Sequence, residues 1–210
     1  MPDRTEPVLV IADGELESLV AMLLLEAPEQ AQAWFIGAGA DESPLRRRAT
    51  QIQVESAGLE QMIDPTTPAD AWASLPGGLG ESAMLLSALA DAAARGCADV
   101  VWPRASDGDL DSMTDSADRA LLVERLGVIE SARTESLDVR LRTPLLDLSD
   151  RQIAELAADL AAPVWSCWWA LPEAGDRPDA EPERLRWSDL LSELGAAALF
   201  DRPRPEPATF

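Results

Sequence analysis

The 210-residue sequence contains no lysine, histidine, tyrosine or asparagine. Each absence removes chemistry. Without histidine there is no Ser–His–Asp triad and no imidazole base, and without lysine there is no Schiff base and no phosphate-binding Walker lysine. Any reaction must run on Asp, Glu, Arg, Ser, Thr, Cys, backbone dipoles and borrowed metal ions. Cysteine is almost absent too: Cys97 and Cys167 are far apart and form no pair motif, which excludes a disulfide framework and points to a reducing cytoplasm. No apolar run is long enough to span a bilayer; the longest lies around Leu19 to Leu25. The first ten residues, MPDRTEPVLV, lack the apolar core of a signal peptide.

What the sequence has in excess is negative charge. Seventeen basic residues face 38 acidic ones, for a formal net charge of −21. Such a surface repels nucleic acid and anionic membranes, so the expected partner is a small molecule or a protein. The one dense basic cluster, Arg46-Arg47-Arg48, reads as the solvated face of a helix. An acidic surface whose cations are all arginine also suits GC-rich coding and a salt-rich setting. A 47% hydrophobic share over 22.6 kDa is enough for one well-packed domain.

Val8 to Ala12 is a continuous apolar run, the pattern of a strand buried on both faces of a parallel sheet. Leu16, Leu19, Val20, Leu23 and Leu24 then fall on one helical stripe. Further strands are predicted at Ala33 to Gly37, Leu59 to Ile63, Ala98 to Trp102 and Leu137 to Leu141. Helices are predicted from Ser43 (N-cap, with Pro44 in the first turn) to about Ala57, from Glu81 to Arg95, from Ala117 to Leu126, after a capping box at Ser149 and Gln152, and around Trp187 to Leu194. Asp64 to Gly80 reads as a loop with at most a helical turn near Ala71. Ser106 to Asp115 reads as an acidic loop, and Glu173 to about Glu183 as a polar one. The alternation predicts a three-layer α/β/α sandwich with a mostly parallel, Rossmann-like sheet and the first strand at its centre. Ligands of such sheets sit beyond the carboxyl ends of the strands. That rim holds Asp13 to Ser18, the loop after Gly37 and the loop after Trp102. Residues 1–200 are expected to form one domain, with 163–200 a C-terminal helical appendage and 201–210 a disordered tail.

The strand–turn–helix segment Val8 to Ser18 has the frame of a phosphate site. Its turn, Asp13-Gly14-Glu15-Leu16-Glu17-Ser18, is similar to the SGGxDS pyrophosphate loop of the ATP pyrophosphatases (the adenine nucleotide alpha hydrolase-like fold). Thr143-Pro144-Leu145, leading into the capped helix, and Trp165-Ser166-Cys167 resemble the C-terminal part of 7-cyano-7-deazaguanine synthase. The resemblance runs loosely from Val8 to Gly195. It implies ATP and magnesium as cofactors, and amidation then dehydration of 7-carboxy-7-deazaguanine on the route to queuosine.

Gly14, Leu16 and Ser18 match the loop, while Asp13 stands for its serine, Glu15 for its second glycine and Glu17 for its aspartate. One carboxylate about 5 Å from one phosphate charge costs about 3 kcal/mol at an effective dielectric near 20. The implied activity is therefore reduced or lost, and the alternative is a non-catalytic protein that binds a ligand or partner through the old cleft. The family's zinc site needs four cysteines; only Cys167 matches, so zinc is not expected.

Each residue also has a plainer reading. Asp13, Glu15 and Glu17 are either a reworked cation site or, the favoured alternative, a decayed loop with side chains in solvent. Gly14 is the turn residue most in need of a positive φ. Ser18 either contacts phosphate or satisfies its own helix. Trp165 and Trp168 could stack a flat base, though core packing is the commoner role, as it is for Cys167. Asp107, Asp109, Asp111 and Asp115 hint at calcium but lack the closing glutamate, which favours a solvated loop.

Overall fold

The computed structural model describes residues 6–37, 43–68, 70–134, 138–175 and 177–201. Among them, β1 (Val8–Ala12), β2 (Ala31–Phe35), β3 (Gln61–Ile63), β4 (Asp99–Val101) and β5 (Arg140–Arg142) form one sheet, ordered β3-β2-β1-β4-β5. Every neighbouring pair is parallel, and Val8 to Ala12 aligns in register with Ala31 to Phe35. The chain builds outward from β1 to β2 and β3, then crosses to β4 on the other side. The switch in direction therefore lies between β1 and β4. The predicted central strand and three-layer fold are observed.

The alternation of side chains along each strand produces two cores. Val10, Ala12, Ala31, Ala33 and Val101 point to one face; Leu9, Ile11, Trp34, Val100 and Leu141 point to the other. The first face is covered by α1 (Leu16–Leu23), α2 (Ser43–Ala57), α6 (Asp150–Asp159) and α7 (Ala180–Glu193). The second is covered by the short α3 (Asp70–Ala73), α4 (Leu79–Arg95) and α5 (Leu110–Thr134). Trp168, Trp169, Trp187 and Leu191 share one buried cluster with α1 and α2, so the 163–200 segment is continuous with the first core. Asp91 of α4 ties the second core to the sheet: its Oδ2 accepts from Trp34 Nε1 (2.8 Å) and from the Thr66 amide (2.9 Å).

Two expectations need correction. The acidic loop is short: Ser106 to Asp109 makes a tight turn with positive φ at Asp107 and Gly108, and α5 begins at Leu110. Asp109 Oδ1 accepts the Asp111 amide (3.1 Å), the geometry of a helix cap. Asp107 Oδ1 accepts the Asp150 amide (3.2 Å) and so reaches α6. Helix α2 starts at Ser43 itself, with Pro44 in its first turn. The loop at 38–42 and the tail at 202–210 lie outside the described residues.

Candidate functional site

The turn after β1 is held by its own chain. Gly14 has φ +82°, and a Cβ there would meet the Arg46 carbonyl oxygen at 2.9 Å and Ala49 Cβ at 3.0 Å. The turn packs directly on α2, and only glycine fits. Asp13 Oδ1 accepts the Glu15 amide (3.0 Å). The Gly14 carbonyl accepts the Trp168 amide (3.0 Å) and Gln53 Nε2 (3.2 Å). Ser18, fully buried, donates its hydroxyl to the Glu15 carbonyl (3.0 Å), which is the helix-satisfying alternative for this residue.

Glu15 does not point to solvent. Its side chain is 17% exposed, and Oε1 accepts from Arg46 (2.7 Å) and Trp168 Nε1 (2.6 Å). The Arg46 guanidinium lies 4.3 Å over the Trp168 ring. The solvent-facing placement expected of the Glu15 side chain and of Arg46 is thereby corrected. Arg47 and Arg48 do stay half-exposed, paired with Asp64 and Glu173. Sequence reading missed Arg46 because its partner is 31 residues away; the one available signal was its three-residue distance from Ser43 at a helix start facing the turn.

Beside the turn, at the switch point between β1 and β4, lies a cleft of about 490 Å³. Carboxylates dominate its charge: Asp13, Glu15, Glu17, Glu81 and Glu183 line it, against Arg104 and Arg186. Arg186 is already engaged by Asp150, by Glu183 (3.2 Å) and by Glu17 (3.8 Å). Trp72 and Trp102 form part of the apolar wall. Trp165 and Trp168 do not line it; Trp168 is buried beneath Arg46, in the packing role.

Burial and the neighbouring carboxylates make Glu15 and Glu17 weaker acids. Burial, then the charge of Asp13, pushes Glu15 up to about 7 against the pull of Arg46 and Trp168. Glu17 is pushed up to about 8 by burial, with Glu15 and Asp13 adding to it; its own amide and Arg186 offset part of this. Both carboxyls thus titrate well above their ordinary range, and the pair can exchange a proton near neutral pH. Burial also drives the Cys167 thiol well above its usual range, with Glu15 and Glu17 reinforcing it. It rests 3.7 Å from Gln53 Nε2 and is inert as a nucleophile. Among the described residues no three acidic, cysteine or histidine side chains come together as a metal site. No helix there is long and apolar enough to cross a membrane. No protein-family model matches the chain, and no curated protein matches it.

Proposed function

We propose that this protein is a divergent relative of the 7-cyano-7-deazaguanine synthases whose pyrophosphate loop has been closed by its own carboxylates, leaving a non-catalytic binding domain. One observation carries the reading: the Glu15 amide donates to Asp13 Oδ1 at 3.0 Å, so a donor that a phosphate would need is already taken by an internal anion. The Glu15 side chain, pinned by Arg46 and Trp168, fills the space that a glycine would leave open. The cleft then suits a small ligand with cationic and apolar parts better than magnesium–ATP, in a cytoplasmic protein with two free, buried thiols.

Calorimetric titration with magnesium–ATP tests this. The wild type is expected to show no saturable binding, whereas Asp13→Ser combined with Glu15→Gly should free the amide, open the turn and release Arg46 toward phosphate. The double variant should gain about 3 kcal/mol or more in nucleotide affinity. Tight binding by the wild type, or turnover of 7-carboxy-7-deazaguanine with ammonia and ATP, would restore the enzyme reading.

A further inference from the structure

Helix α5 carries two apolar faces, and only one is used. Ala120 and Val123 are buried against the second core, where Gly127 lets α5 approach Leu89 at 3.1 Å from its Cβ position. On the opposite side Leu121 (57% exposed), Leu122 (63%), Leu126 (42%), Val128 (40%) and Ile129 (57%) face outward. Five large aliphatic side chains on one helix exceed the scattered exposure expected of a monomer. At 100° per residue, Asp118, Leu121, Leu122, Arg125 and Ile129 fall on one stripe centred on this outward face. Asp118 and Arg125 are both exposed.

The geometry points to a two-fold dimer formed by antiparallel packing of α5 on α5 of a second copy of this chain. The charge pattern selects that occupant. A two-fold axis crossing the helix between Leu121 and Leu122 sets each Arg125 opposite the second copy's Asp118, twice over, about 5 Å along the axis on either side. Leu121 meets the second copy's Leu122 at the centre, where a self-complementary interface wants its apolar contact. A groove of about 470 Å³ beside the stripe, lined by Leu79, Asp115, Asp118, Arg119 and Leu122, lies on the flank that the two-fold sets against the second copy's Leu126. A parallel pairing would set like charges together. An anionic membrane is disfavoured by the acidic residues on the stripe's flank, Asp111 and Asp115, and by the net charge of −21. That charge also opposes self-association at long range, but over a screening length of about 8 Å at 0.15 M salt the local pairing decides.

Sedimentation velocity on the full chain at micromolar concentration and about 0.15 M salt reads the result. The wild type should sediment as a dimer of the 22.6 kDa chain. Leu122→Glu and Arg125→Asp should each raise the dimer dissociation constant about tenfold or more, with near-UV circular dichroism unchanged. Should Leu122→Glu fail to fold, Leu122→Gln takes its place. The swap Asp118→Arg with Arg125→Asp restores the pairing and should recover association. A monomeric wild type overturns the proposal, as does a double swap no better associated than Arg125→Asp alone. So does a wild-type monomer that sediments with phosphatidylcholine vesicles, which would assign the face to lipid.

Discussion

Glu17 is the residue on which the chemistry of the turn shows most directly. In the unfolded chain its carboxyl releases its proton near 4.5, whereas in the folded protein it keeps it up to about 8. Across that window the native state binds more protons than the unfolded one. The contribution of Glu17 to stability is thus fully present below pH 4.5 and is lost as the pH rises through 8; Glu15, raised to about 7, adds to the same slope. Glu17→Gln preserves the shape and cannot ionise. It should flatten the fall and leave the protein more stable than wild type at pH 8 by on the order of 1–2 kcal/mol, read from melting curves between pH 5 and 9. A variant with the wild-type slope would show that Glu17 is solvated and ordinary. The three carboxylates were legible in the sequence as an anomaly, but their orientation was not. A residue's neighbours in sequence say where a helix starts; they do not say that Arg46 of α2 turns inward to meet Glu15. Nor did the tryptophan block reveal that Trp168 spends its indole N–H on the same carboxylate.

Among the elements, β1, α1 and α6 were legible because local and global signals agree in them. A doubly buried strand has to be apolar throughout, and the box at α6 is visible in Ser149 and Gln152 alone. The structure shows both halves of it: Gln152 Oε1 accepts the Ser149 amide (2.9 Å), and Ser149 Oγ accepts the Gln152 amide (3.4 Å). Removing the hydroxyl should release the first turn of α6, which holds Asp150 against Arg186 of α7. Ser149→Ala is expected to cost about 1 kcal/mol in urea unfolding, with the denaturant slope unchanged. A loss within error would mean that the Asp150–Arg186 pair holds this end unaided. The start of α5 was misread for a physical reason. Its first turn presents Leu110 at 70% exposure and a series of aspartates, so no buried stripe announces the helix until Ser116 and Ala120. β5, read as Leu137 to Leu141, is the edge strand Arg140–Arg142, with one buried residue between two arginines. Those arginines both reach the buried Asp99 of β4, at 2.9 Å and 2.7 Å, a contact between strands that pattern alone does not announce.

For the whole molecule the governing fact is 38 acidic residues against 17 basic ones on a chain with no lysine. Compaction brings those charges closer than in the unfolded chain, so self-repulsion works against the fold and salt should relieve it. Raising sodium chloride from about 0.01 M to 0.15 M shortens the screening length from about 30 Å to 8 Å, and the melting temperature should rise. The ion pairs weaken this gain little. Several join half-exposed side chains, such as Arg47 with Asp64 and Arg48 with Glu173, and such pairs contribute about 0–1 kcal/mol each. The same experiment with magnesium chloride separates screening from binding. Because no three ligating side chains converge among the described residues, magnesium should stabilise the protein no more than sodium does at matched ionic strength. A further rise in melting temperature that saturates at submillimolar magnesium would instead mark a site, and the acidic turn after β1 would be where to look for it.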